Sequence, residues 1–282
     1  MIVMDYATDG SLRQFLNNNF SWFYWELKLR SLYQIAIGLA DIHDKELIHH
    51  DFHCGNILYH IGSHSTIHSA ITDLGLCKPA SEKSEKSEKR IYGLLPYVAP
   101  EVLRGKEYTQ AGDIYGFGIV SYEICTGYPP YHDIEHDDTL AIKICNGQRP
   151  KSNYKIPQLV LDIIKQCLDA DPLKRPKVKE LNKIFLYLYA DLYHDRKDSE
   201  IYKQAEEADE INKNLPSSSS LTGALSYTTH PQAIYTSRLL NFKNLPEPKN
   251  DDDSSGIEYS GNYTFYTNKI ICIEFDIIIV FF

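Results

Sequence analysis

LIHHDFHCGNIL, residues Leu47 to Leu58, is the stretch on which the reading of this chain turns. An apolar run ends in His49-His50-Asp51, Asn56 stands five positions after the aspartate, and a second apolar run begins at Ile57. A carboxylate and an amide are thus set at fixed spacing in a loop between two strand-like segments. Both offer hard oxygen atoms, and the carboxylate can also take a proton.

The surrounding chain is large enough to support chemistry there. Its 282 residues suffice for one large domain or two small ones with a real apolar core. The net charge of −9 is unevenly placed: residues 191–282 hold 15 acidic and 8 basic side chains, which leaves the first 190 close to neutral. A neutral body with an acidic tail gives no electrostatic ground for nucleic-acid binding, and the tail is expected to be solvated or to meet a protein partner. Six scattered cysteines without a C-x-x-C pair point to a reducing, intracellular and cytoplasmic setting. The N-terminus has no signal-peptide pattern. The last thirteen residues, IICIEFDIIIVFF, fall short of the ~20 that cross a bilayer and carry Glu274 and Asp276, so no membrane anchor is expected.

Residues 1–6 (MIVMDY) read as a short strand that turns at Thr8-Asp9-Gly10, and Ser11 is placed to cap the next helical turn. Apolar positions from Glu26 to Asp44 recur mostly at helical spacing. After the opening loop, NILYH and TIHSAITD read as a β-hairpin on the surface of a helical body. The thrice-repeated S-E-K in residues 79–90 reads as a mobile charged loop. Four helical segments punctuated by Pro and Gly follow Pro100, running to about residue 190. Beyond them only IYKQAEEADEINKNL has weak helical character, and the Ser217–Ser220 run and PEPKNDDDSSG read as disordered.

Asp51 and Asn56 are followed in order by Asp73 in TDLG, by Ala99-Pro100-Glu101, by DIYGFG from Asp113 and by CLDADPLKRP ending at Pro176. This ordered set resembles the eukaryotic protein kinases, closest to the tyrosine-kinase-like group. IVMDYATDGSL resembles their fifth strand and hinge. The resemblance implies an α+β, mainly helical fold: a kinase C-terminal lobe with a short hairpin over residues 1–190, then an acidic, mostly disordered tail over 191–282.

It also implies the site. Asp51 would accept or orient the proton of the attacking hydroxyl, while Asn56 and Asp73 would hold Mg²⁺ against the phosphates of ATP. Backbone groups of Asp5 and Ala7 would face adenine, with Met4 as gatekeeper and Leu58 beneath the ring. His49 and Leu74 would stack in the regulatory spine, Asp113 would hold the catalytic-loop backbone, and Glu101 would pair with Arg175. Gly116 and Gly118 inside a helix cost about 1 kcal/mol each, which close backbone approach would explain.

Several departures matter. His50 replaces the Arg that usually precedes the catalytic Asp, so a phosphate at Ser81–Ser87 or Tyr92 lacks its usual partner. His53 stands where serine/threonine kinases carry Lys, and Leu94 where their activation-segment Thr falls. Tyrosine-kinase markers are absent as well, with Gly55 in place of Arg and Tyr97 in place of Trp, and the group resemblance favours a serine or threonine substrate. No G-x-G-x-x-G occurs in the chain, nor the strand Lys and helix Glu of the small lobe. A truncated kinase with little activity as written is therefore expected.

Two other readings stand beside it. One is a non-catalytic kinase-like scaffold, against which the intact Asp51, Asn56 and Asp73 set argues. The other is a small-molecule phosphotransferase, since HHDFHCGNIL also resembles the H-G-D-x-x-x-x-N loop of the aminoglycoside and choline kinases. APE, DIYGFG and the Arg175 turn do not belong to that pattern. His43, His53, His60, His64 and His68 have no metal-ligand spacing and are expected to be satisfied or solvated.

Overall fold

The computed structural model describes residues 7–61, 67–81, 91–214 and 227–251. The strand expected over residues 1–6, with Met4 and Asp5, lies outside the described residues, as do most of the S-E-K loop, the Ser217–Ser220 run and the apolar C-terminus.

Helix α1 (Leu12–Asn19) begins at Ser11, whose hydroxyl accepts from the Gln14 N–H while the Gln14 side chain accepts from the Ser11 N–H, a reciprocal cap. Helix α2 (Trp25–Asp44) follows the apolar spacing seen in the sequence. Strand β1 (Leu47–Ile48) leads into the catalytic-type loop, and β2 (Ile57–Ile61) and β3 (Ile67–Ile71) form the expected hairpin. β4 (Lys78–Pro79) pairs back onto β1, and β5 (Ile91–Gly93) precedes the short helix α3 (Pro100–Leu103). The helical body continues through α4 (Gln110–Thr126), α5 (Asp138–Cys145), α6 (Gln158–Cys167) and α7 (Val178–Tyr193).

α4 is the centre of the core. Every residue from Asp113 to Thr126 is buried, so this stretch has no solvent face and is apolar on all sides but for a few polar groups. Its two internal glycines are explained by proximity. A Cβ on Gly116 would lie 2.9 Å from the Phe52 carbonyl oxygen, and one on Gly118 would lie 2.8 Å from the Cys167 Cβ. The helix thus packs directly against the opening loop on one side and the end of α6 on the other. α2 runs along α7 and closes the core from behind.

Two features depart from the expected organisation. First, the body does not stop near residue 190. Helix α8 (Glu200–Lys213) buries Ile201, Ala205 and Ala208 on one face and packs against α7. Asn212 locks it in place by exchanging two hydrogen bonds with the backbone of Lys155, at 2.7 and 2.9 Å. Its polar composition hid the narrow i, i+4, i+7 stripe that suffices to dock a helix. Second, the expectation of a mostly disordered tail fails for residues 227–251. They cross the front of the helical body and contribute β6 (Arg238–Leu240), which pairs antiparallel with β5. The PEPKN portion of the Pro/Asp-rich stretch is part of that docked segment.

Five described cysteines carry free thiols, four of them buried. Among the described residues no helix is long and apolar enough to cross a membrane.

Candidate active site

Asp113, at the start of α4, organises the opening loop. Its carboxylate accepts the backbone N–H of His49 at 2.8 Å and of His50 at 3.2 Å, and the ring of His43 at 3.0 Å. Gln110 donates to the carbonyls of His43 and Leu47 and so fixes the chain entering the loop. A buried carboxylate that collects N–H donors is the economical way to hold an irregular backbone away from water. His50 itself takes a left-handed backbone (φ 71°), and its ring stacks on Tyr108 at 4.5 Å.

His49 is consistent as the Nε2–H tautomer: Nε2 lies 3.0 Å from the Thr72 carbonyl and Nδ1 accepts the Asp51 N–H at 3.3 Å. Its ring meets Phe52 edge-on. The loop is thereby tied to the residue that follows the hairpin's far strand, and the Asp51 backbone is held by the His49 ring.

Asp51 is buried. The Asn56 amide donates to its backbone carbonyl at 3.0 Å and lies 3.4 Å from its carboxylate. That orientation turns the Asn56 amide oxygen away from Asp51. The Asn56 carbonyl accepts both the N–H and the hydroxyl of Thr72, which brings the following residue, Asp73, to the same end of the hairpin. Asp73 is exposed and left-handed (φ 58°), a conformation Asp tolerates. An amide oxygen and a carboxylate at one loop end are hard oxygen donors of the kind that would suit Mg²⁺. Among the described residues no three His, Cys, Asp or Glu side chains gather as an all-protein metal site.

The other anticipated residues fall in two groups. Glu101 and Arg175 form a two-pronged buried ion pair, 2.7 and 2.8 Å. Leu58 bridges to Ser11, and the Tyr59 N–H donates to the Gly10 carbonyl, so the hinge-side turn is joined to β2. The Ala7 carbonyl accepts from Gly10 within that turn.

Two further side chains join the site: His53, marked in the sequence only as a departure from the family pattern, and Ser237, which the sequence did not single out. His53 accepts the Gly55 N–H on Nδ1 at 3.0 Å, which leaves its Nε2–H to face Asp51 at 3.5 Å and Ser237 Oγ at 3.1 Å. Ser237 in turn donates its hydroxyl to Asp51 Oδ1 at 2.8 Å. Burial pushes the Asp51 carboxyl upward, but the hydrogen bond and charge of His53, with the Ser237 hydroxyl, outweigh it and hold the group below its ordinary range. The only sequence hint of the tail's involvement is the recurrence of apolar side chains (Tyr235, Leu240, Phe242, Leu245) in a polar segment.

A second polar cluster lies behind the site. Arg13 pairs with Glu123 at 3.1 Å and also donates to the Tyr97 hydroxyl, which bonds Glu123. The Tyr97 ring tilts against His53.

Comparison with known proteins places the chain in a family. Residues 1–185 match the family model described as protein tyrosine and serine/threonine kinase. Of the relatives, a protein of Acanthamoeba polyphaga mimivirus named as a serine/threonine-protein kinase/receptor, R818, is 31% identical over 64% of this chain and 10% of its own length. One from Dictyostelium discoideum named as a serine/threonine-protein kinase, roco5, is 30% identical over 66% of this chain and 7% of its own. A Drosophila melanogaster protein named for its likeness to mitogen-activated protein kinase kinase kinase 7 is 30% identical over 64% of this chain and 47% of its own. The chain therefore spans less than half the length of each of these relatives. With the family model covering most of its length, the chain belongs to the protein tyrosine and serine/threonine kinase family.

Proposed function

We propose that the chain forms the hinge and C-terminal lobe of a tyrosine-kinase-like protein kinase, and that it transfers the γ-phosphate of ATP to a serine or threonine hydroxyl of a protein. The observation that carries this reading is the seryl hydroxyl held at 2.8 Å by Asp51, the position an acceptor hydroxyl must take to lose its proton. The names of the relatives speak for serine and threonine, and the free thiols fit a reducing compartment.

The residues divide the work. Asp51 receives or orients the hydroxyl proton, and Asn56 holds Asp51 while Asp113 keeps the loop rigid. Asn56 and Asp73 are the residues that would hold Mg²⁺, which neutralises phosphate charge when bound. The Glu101–Arg175 pair fixes the segment that follows β5. Ala7 and Leu58 would lie on the adenine side in this reading, with Met4 and Asp5, which fall outside the described residues, expected beside them.

The test is transfer from ATP to serine/threonine, tyrosine and small-alcohol substrates by the natural full-length product and its Asp51→Asn variant. Loss of protein serine/threonine labelling by at least two orders of magnitude in the variant is the expected result. Undiminished transfer in the variant would sink the assignment. Labelling of sugars or choline alone would place the chain among small-molecule phosphotransferases. One observation favours a second reading, a non-catalytic scaffold: the Asp51 carboxylate is already engaged by Ser237 of a segment paired to β5.

A further inference from the structure

We propose that Ser237 is the chain's own phosphoacceptor, presented to Asp51 by a tail segment bound across the catalytic face as a substrate in cis. The proposal rests on the kinase reading above and extends it to a specific modification site.

The segment is bound as an extended substrate would be. β6 adds to β5 in antiparallel register, Ile91 opposite Leu240, Tyr92 opposite Leu239 and Gly93 opposite Arg238. Strand addition supplies main-chain hydrogen bonds, and alternate side chains supply the fit. Leu240 points into the core at 4% exposure, whereas Leu239 faces out at 57%. Ser237 immediately precedes the strand, and the Tyr92 hydroxyl donates to its carbonyl at 3.2 Å.

Anchors stand on both sides of the serine. Upstream, the Tyr235 hydroxyl donates to the Pro130 carbonyl at 2.8 Å and its ring lies over the Arg13 guanidinium at 4.4 Å. His136 meets the backbone of Ile234 through Nδ1, and its N–H donates to Gln232. Downstream, Arg104 donates to the Leu245 carbonyl and pairs with Glu247, the Lys249 N–H donates to Cys145, and Asn250 accepts the Ala170 N–H. Gly147, at φ 97°, lets the Asn250–Asp251 backbone pass where a Cβ would lie only 2.5 Å away.

What the anchors deliver is a hydroxyl, and its surroundings are those of a reactant. Ser237 Oγ donates to the Asp51 carboxylate and accepts from the His53 Nε2–H. The proton faces a base, while an oxygen lone pair remains for attack. In the transfer, Ser237 Oγ bonds to the γ-phosphorus of ATP and the bond from that phosphorus to the β,γ-bridging oxygen breaks. ADP leaves, and the hydroxyl proton passes to Asp51 and then to water. The product places a phosphate of roughly −2 charge against Asp51, and like-charge repulsion then favours release of β6 from β5.

The experiment incubates the natural full-length product with Mg-ATP and maps phosphosites by mass spectrometry across a 100-fold dilution series. An exogenous serine/threonine peptide is assayed in parallel, and Ser237→Ala, Ser237→Thr and Asp51→Asn variants serve as controls. Phosphate on Ser237 at a rate independent of protein concentration is expected. It should be retained by Ser237→Thr on the substituted residue and lost from position 237 in Ser237→Ala and Asp51→Asn. Labelling of the exogenous peptide with Ser237 unlabelled overturns the proposal and leaves the kinase reading intact. A Ser237 rate that falls in proportion to dilution overturns the cis assignment. Transfer to neither acceptor overturns both readings together.

Discussion

Arg175 grips both carboxylate oxygens of Glu101, 74 residues away in sequence, at 2.7 and 2.8 Å, and both side chains are buried. The same guanidinium donates to the carbonyls of Asp169 and Ala111, so one side chain ties the end of α6, the start of α4 and α3 into a single unit. Removing one partner strands the other charge out of water, at about 3–5 kcal/mol. Arg175→Met should therefore lower unfolding free energy by roughly 3 kcal/mol in urea titration. The double variant Arg175→Met with Glu101→Leu should recover much of it, because no orphaned charge remains. A single variant within about 1 kcal/mol of the parent would show that the pair does not carry this load.

Gly116 separates stability from chemistry. Alanine in a helix interior gains about 1 kcal/mol over glycine. A Cβ at this position, however, would press on the Phe52 carbonyl oxygen at 2.9 Å, and a backbone atom cannot swing aside as a side-chain tip does. Phe52 follows Asp51, so the strain is relieved by moving the loop that carries Asp51. Misplacement of a reacting group by about 1 Å costs on the order of a hundredfold in rate. Gly116→Ala should lower transfer at least tenfold, with a stability loss of about 1 kcal/mol from overpacking net of the helix gain. Gly112→Ala, whose Cβ would meet only Val102 at 3.9 Å, is the control and should leave transfer unchanged.

Much of this site is written in short-range sequence. Asp51 and Asn56 share one loop, Asp73 follows one hairpin, and Asp113 opens one helix, so their spacing survives without knowledge of the tertiary structure. Glu101 and Arg175 are far apart but lie in separately recognisable segments. The docked tail is different in kind. Tyr235 is ordered by Pro130 and Arg13, Ile234 by His136, and Asn250 by Ala170, each about 80 residues or more away. Nothing in the local composition of residues 227–251 reports those partners, and Pro and Asp in the stretch point the other way. His53 was visible only as a departure from a pattern, since its role depends on a serine 184 residues downstream.

Lys28 illustrates the same limit and gives a pH test. It lies fully buried in α2, donates to the Cys125 carbonyl at 3.0 Å and is surrounded by the rings of Phe20, Trp25 and Tyr154 at 4.1 to 4.7 Å. Burial lowers its pKa to about 7, against weaker opposing effects of Cys125 and Asp209. Between that value and the ordinary lysine range the unfolded chain binds a proton that the folded chain does not, so stability rises with pH. From pH 7 to 9 this contributes on the order of 2 kcal/mol. Lys28→Met should abolish that rise and be the more stable form at pH 7, read by urea titration at both pH values. A parent whose stability is flat over the window, and equal in slope to the variant, would show that the aromatic faces keep the ammonium charged.

His136 sets the pH range over which the tail stays docked. Its Nδ1 meets the backbone of Ile234, 2.9 Å from the carbonyl and 3.1 Å from the N–H, and its Nε2 lies 3.1 Å from the Tyr131 carbonyl. Burial lowers its pKa, the Ile234 and Tyr131 carbonyls oppose this, and the charges of Arg238 and Arg13 lower it further, for a net value below the ordinary one. A depressed histidine favours the folded state above the unfolded pKa of about 6.5, and that contribution is lost as pH falls below it. Docking of residues 232–240 should accordingly weaken between pH 6.5 and 5.5. Amide exchange, corrected for intrinsic rates, should show protection there falling severalfold while α4 is unchanged. His136→Asn keeps an uncharged amide near the position of Nδ1, so its tail should hold the same protection at both pH values. Equal pH dependence in parent and variant would move the cause to another group. Loss of protection in α4 as well would mean that acid opens the whole body rather than the tail.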